Sequence, residues 1–216
     1  MDSKEISRAK IPFRNHVSAT PINRVFSRSQ LEEQYFKKKN YTTDGKYVGR
    51  LCTPKDGEIY LRNKPLGLWY SLGDHWLNFD NSEPKDSYEY NGYLYEVRIP
   101  MDSSEKGRVI ETTRFTNIQN PNIDKLLVLT GNTDKFLFYQ KYKVSPEKLQ
   151  EIFFSNAMAH MFHLVDWYRV SQDFGGLEIP DLTRSNQLDH RWSYGWDIPS
   201  GCIWNANIIE ELKGPF

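Results

Sequence analysis

Gly67-Leu68-Trp69-Tyr70-Ser71 is the stretch on which the reading of this chain turns. Glycine permits a tight backbone approach, and the apolar and aromatic residues after it suit a strand. On a strand Trp69 and Ser71 share one face while Tyr70 takes the other. Upstream stands Tyr60-Leu61-Arg62, separated from it by the turn signal Asn63-Lys64-Pro65. Glu58–Arg62 and Leu68–Leu72 therefore read as two strands around a tight turn. Far downstream, Gly175-Gly176-Leu177-Glu178-Ile179 reads as another short strand ahead of Pro180. Glu178 would face opposite to its two apolar neighbours, towards a cleft or towards water.

Outward from these segments the pattern stays strand-rich. Tyr93, Tyr95, Val97 and Ile99 recur at every second position, with the polar Glu96 and Arg98 between the last three, as a half-buried strand requires. Arg108–Thr112, Lys125–Thr130 and Gly201–Trp204 are further expected strands. Thr133–Tyr142 reads as a short aromatic helix. Ser145-Pro146-Glu147 combines an N-cap serine, a first-turn proline and an early acid, and so opens a second helix. Leu149, Ile152, Phe153, Met161 and Phe162 give that helix an apolar side to about Leu164. Ser27–Lys39 and Asn205–Leu212 are expected as shorter helices. Strands dominate without regular alternation with helices, which predicts an α+β domain with antiparallel sheets.

With 216 residues the chain has the length of one ordinary domain plus a terminal extension. Six Trp, thirteen Tyr and twelve Phe supply both core filling and rings able to stack on a flat ligand. The formal net charge of zero hides an asymmetry. Residues 1–50 carry eleven Lys and Arg against five Asp and Glu, and the remainder carries the opposite excess. The division is thus a basic extension over 1–50 and a folded domain over 51–216, the basic part suited to phosphate or to an acidic partner. No apolar run is long enough for a membrane span, and the polar start Met1-Asp2-Ser3-Lys4-Glu5 lacks a signal-peptide pattern. Cys52 and Cys202 match no metal spacing, so a reduced, cytoplasmic protein is expected, with one disulfide as the alternative.

Taken in order, aromatic-x-Arg at Arg62, Gly-Leu-aromatic-aromatic-Ser at 67–71 and the strand Glu178 resemble the ADP-ribosyltransferase fold. The resemblance covers roughly residues 58–205 and is carried more by the order of elements than by exact motifs. It implies a split antiparallel β-sandwich with flanking helices that binds NAD as substrate, releases nicotinamide and passes ADP-ribose to a macromolecule. It assigns Glu178 as the essential carboxylate and Ser71 as its support. Arg62 then holds the pyrophosphate, and Trp69 or Tyr70 stacks on the ligand.

The chemistry matches those roles. Loss of nicotinamide passes through an oxocarbenium-like ribose, which a nearby carboxylate stabilises, and arginine grips phosphate through forked hydrogen bonds. The chain departs from the pattern at Gly176, where transferases that modify arginine carry a second Glu. This points away from arginine as acceptor and towards a nucleic acid or another side chain.

Two other readings stand beside it. One is a non-catalytic protein on a similar scaffold, binding a macromolecule through the basic extension and aromatic surface. The other is a metal-dependent nucleic-acid hydrolase using Asp166, Asp173, Asp181 and Asp197. His160 and His163 share a helical face without a third ligand nearby, so no metal site is expected.

Overall fold

In the computed structural model, the residues described are 4–7, 12–18, 64–65, 67–77, 87–90, 92–100, 109–111, 122–147, 149, 163–182, 191–193 and 196–216. Leu68–Leu72 forms the strand its sequence predicts, with Leu68, Tyr70 and Ser71 fully buried. In chain order the strands are β1 (Lys4–Ser7), β2 (Arg14–Ser18), β3 (Leu68–Leu72), β4 (Ser87–Tyr90) and β5 (Tyr93–Arg98). Then come β6 (Val109–Glu111), β7 (Asn122–Val128), β8 (Phe174–Ile179), β9 (Ser200–Ile203) and β10 (Glu211–Lys213). Helices α1 (Asn132–Tyr142) and α2 (Trp167–Asp173) lie between β7 and β8.

The class is α+β, built on one eight-stranded sheet in the order β10-β5-β2-β3-β9-β8-β7-β6, while β1 and β4 form a separate pair. The expected antiparallel pairing holds from β10 to β8. At the other end β6, β7 and β8 run parallel. Between β7 and β8 a connection that includes α1 and α2 returns the chain to the same end of the sheet, whereas a tight hairpin would have reversed it. Hydrogen bonding is continuous across all eight strands, so among the described residues the sheet is mixed and single, where two facing antiparallel sheets were expected.

Strand alternation sends two sets of side chains to opposite faces. One face carries Leu127, Leu177, Ile179, Cys202 and the partly buried Trp69, packed against Phe138, Trp167, Val170, Trp192 and Trp196. These come from α1, α2, the short 3-10 turn Arg191–Ser193 and the segment before β9. The opposite face carries Leu68, Tyr70, Leu72, Leu126, Val128 and Ile203, joined by Tyr95, Val97, Ala206, Ile208 and Leu212.

Two further expectations change. β2 lies inside the sheet between β5 and β3, pairing Arg14 with Leu72 and His16 with Tyr95. Residues 14–18, assigned to the basic extension, are therefore part of the folded sheet. Asn205–Leu212 is not one helix. Asn205 caps a single 3-10 turn over Ala206–Ile208, and the chain then extends into β10. Ile208 and Leu212, four residues apart, mimic a helical stripe, but both are buried by different local conformations on the same core cluster. The asparagine fixes the turn: its amide donates to Ile123 O at 2.6 Å and to Asp124 Oδ1 at 3.1 Å.

The serine start at Ser145 behaves as read, with Leu149 N donating to Ser145 O at 2.9 Å. Ser27–Lys39, Glu58–Arg62, Cys52, Ile152, Phe153, Met161 and Phe162 lie outside the described residues.

Candidate functional site

A carboxylate placed mid-sheet must be compensated, because an unpaired buried charge is costly. Glu178 on β8 is 3% exposed. Its Oε2 receives Arg14 Nε at 2.7 Å and Tyr70 Oη at 2.8 Å, and its Oε1 receives Arg14 Nη2 at 3.2 Å. The three side chains come from three strands of the eight-stranded sheet, β2, β3 and β8.

Arg14 forks onto the carboxylate, the geometry in which arginine binds best. Burial works to lower its pKa, yet the hydrogen bond and charge of Glu178, with Tyr70 beside it, raise the pKa above its usual value. Tyr70 is fully buried, and burial first, then the charge of Glu178, pushes its hydroxyl well above the normal phenol range, with Arg14 opposing. At neutral pH Arg14 is thus a cation and Tyr70 a protonated phenol. Neither bond of Arg14 to Glu178 uses Nη1.

Of the residues singled out by sequence, the fold unites Glu178 and Tyr70 and separates the others. Ser71 is fully buried on the opposite face, where its Oγ accepts from Trp76 N at 3.1 Å. The hydroxyl that reaches Glu178 is that of Tyr70, not that of Ser71. Trp69 also lies on the helix-covered face, its ring 4.6 Å from that of Trp196 and its Nε1 donating to Pro65 O at 3.2 Å. The Lys64 ammonium stands 5.6 Å from the Trp69 ring and pairs with Asp197 at 3.1 Å. Trp69 and Tyr70 therefore do not present one stacking wall beside Glu178. Arg62 lies outside the described residues.

Arg14 is the residue that sequence reasoning missed. Its signal was faint, an aromatic-Arg pair at Phe13-Arg14 followed by Asn15-His16-Val17, of which only Val17 is aliphatic. The surrounding basic residues pulled it into the extension. Arg14 also lines an open hollow of about 360 Å³ together with Phe13, Glu96, Arg98 and Glu210. Phe13 is 63% exposed there, and Arg98 is engaged by Glu96 and Glu211.

Gly176 sits two residues before Glu178 on the same face. A Cβ there would meet Leu126 Cδ1 at 2.9 Å and Cys202 O at 3.0 Å. A side chain at 176 would thus require Leu126 and the β9 backbone to shift.

The four aspartates of the hydrolase reading are dispersed in their contacts. Asp166 caps α2, Asp173 accepts from Tyr142 and Lys141, and Asp197 pairs with Lys64. The backbone carbonyl of Asp181 accepts from the buried Lys135. Among the described residues no group of three His, Cys, Asp or Glu side chains is placed to hold a metal ion, and no helix is long and apolar enough to cross a membrane. Compared with known proteins, the chain matches no family model, no curated protein and no solved structure.

Proposed function

We propose that the chain binds NAD and transfers its ADP-ribose to a macromolecular acceptor, with Glu178 as the carboxylate that stabilises the ribosyl cation. One observation carries the reading: the glutamate that sequence singles out is buried at mid-sheet, gripped by an arginine and a tyrosine from two other strands. Such a buried ionic cluster is poor value for stability, since apolar side chains of similar volume do as well or better. Concentrations of buried charge of this kind favour functional sites.

Arg14 takes the part of the cation beside the carboxylate. A dinucleotide entering by the neighbouring hollow would offer phosphate oxygens to Arg14 and draw its guanidinium from Glu178, exposing the carboxylate to the ribose. Arg62 stays the second candidate for the pyrophosphate. The glycine at position 176 supports an acceptor other than arginine, with a nucleic acid or another side chain as the candidates.

The near-complete enclosure of Glu178 favours a second reading, an interaction protein in which the cluster only pins three strands together. NAD separates the two. On the transferase reading NAD raises the melting temperature by linkage, and Arg14→Lys, which loses the fork but keeps the charge, weakens the rise. A folded protein whose melting temperature is unmoved by millimolar NAD supports the interaction protein and overturns the transferase.

A further inference from the structure

We infer that Tyr70, given passage by Gly201, is the positioning residue that fixes the orientation of the Glu178 carboxylate; the inference rests on the transferase reading above. β9 separates β3 from β8, and Gly201 pairs with Tyr70 on one side and with Glu178 on the other. The three residues form one row across the sheet. Strands two places apart lie roughly 10 Å from each other, a span that only a long side chain crosses. Tyr70 crosses it by lying over Gly201. A Cβ at position 201 would run into Cζ and Oη of the Tyr70 ring. Any other residue at 201 therefore displaces the ring from its path to Glu178.

The crossing makes the carboxylate asymmetric. Oε2 accepts the two short bonds, from Arg14 Nε at 2.7 Å and Tyr70 Oη at 2.8 Å. Among the described residues Oε1 accepts only the longer bond from Arg14 Nη2, at 3.2 Å. Tyr70 thereby commits Oε2 and leaves Oε1 as the oxygen with capacity for a ribose hydroxyl. The phenol is a donor and not a base, because its burial and the adjacent negative charge keep it protonated. When a ligand draws Arg14 away, the Tyr70 bond is the one that still holds the carboxylate. Carboxylate orientation, and not ligand affinity, is what this contact controls.

The test is nicotinamide release from NAD by the full chain, compared among wild type, Tyr70→Phe, Gly201→Ala and the double variant, each shown to be folded by circular dichroism. Tyr70→Phe keeps the ring and removes only the hydroxyl. The expected result is a fall in kcat of about 10- to 100-fold, the scale of losing an orienting partner, with KM for NAD little changed. Gly201→Ala retains the hydroxyl and is expected to lose kcat to the same degree. The double variant is expected to be no worse than either single variant, since both act through one contact. A structural role alone would lower the melting temperature without this split between kcat and KM. Active wild type with unchanged kcat in Tyr70→Phe overturns the inference and leaves the transferase reading standing. Should Gly201→Ala fail to fold, Tyr70→Phe decides alone. Folded wild type that releases no nicotinamide overturns the transferase reading and the inference together.

Discussion

The two faces of the central sheet are made from alternate residues of the same strands, yet they solve opposite problems. On the helix-covered face Trp69, Leu177 and Cys202 meet a dense set of rings, with Trp167 6.4 Å from Trp192 and 6.3 Å from Trp204. Polar atoms there are few. Trp204 Nε1 donates to Phe174 O at 2.7 Å, whereas the buried Nε1 atoms of Trp167 and Trp192 meet no hydrogen-bond partner among the described residues. The other face keeps an apolar border of Leu68, Leu72, Val128 and Ile203 but places Arg14, Tyr70 and Glu178 among them. Both faces bury apolar side chains, and the cluster of Arg14, Tyr70 and Glu178 lies on the second. One glutamate on β8 belongs to a different environment from the leucine and isoleucine beside it, solely because side chains alternate.

The sharpest way to break this comparison is to exchange charge for hydrocarbon on one face and remove hydrocarbon from the other. Trp204→Ala is expected to cost about 3–5 kcal/mol, the usual toll for truncating a buried aromatic side chain. Arg14→Met alone should cost about 3 kcal/mol by leaving Glu178 buried and unpaired, while Arg14→Met with Glu178→Leu should be near neutral. Urea unfolding followed by circular dichroism measures all three. A double variant as unstable as Trp204→Ala would make the ionic cluster a stability device and erase the contrast between the faces.

Next in size is the effect on reaction. Glu178→Gln keeps shape and hydrogen bonding but removes the charge, and nicotinamide release should fall at least about 100-fold, equivalent to about 2.7 kcal/mol of barrier. The NAD-induced rise in melting temperature should persist, since Arg14 remains. Chelators should leave the rate unchanged. Retained activity in Glu178→Gln would remove this residue from the mechanism.

The smallest effect spans both faces and reads out in alkali. Burial raises the pKa values of Tyr70, Tyr139, Tyr142 and Cys202 in the folded chain. For Tyr70 the charge of Glu178 adds to burial, and for Tyr142 the hydrogen bond to Asp173 does so. The unfolded chain ionises first, so the stability these groups confer is complete below their unfolded pKa values and declines as pH rises above them. The decline should begin near pH 9 with Cys202 and steepen from about pH 10 with the tyrosines. Lys135, whose burial lowers its pKa against the opposing charge of Asp181, acts in the other direction up to its unfolded value. Denaturant midpoints between about pH 8 and pH 11 would record the net fall. Tyr70→Phe should make the decline shallower.

Much of the secondary structure was legible because local pattern and tertiary environment agreed. The alternation at Tyr93–Ile99, the run Leu68–Leu72 and the aromatic helix ending at Tyr142 appear in the structure close to where their sequence places them. Glu178 and Tyr70 were also legible as candidates, and alternation alone put Trp69 and Ser71 on the face opposite Tyr70. The parallel trio β6, β7 and β8 was not legible, since a strand carries no local mark of its partner's direction. Nor was the end of the chain, where Ile208 and Leu212 satisfy a helical spacing without forming a helix.

What the sequence by itself determined, then, is the α+β character, the alternation that sends Glu178 to the other side from Leu177 and Ile179, and the missing side chain at Gly176. What only tertiary structure decided is the company Glu178 keeps. Arg14 lies 164 positions away along the chain and Tyr70 lies 108 away. Their approach depends on the order β2-β3-β9-β8 and on an unsubstituted Gly201 between them. Strand order is set by the summed burial of whole faces and by the path of the connections, and no short stretch of residues carries that sum.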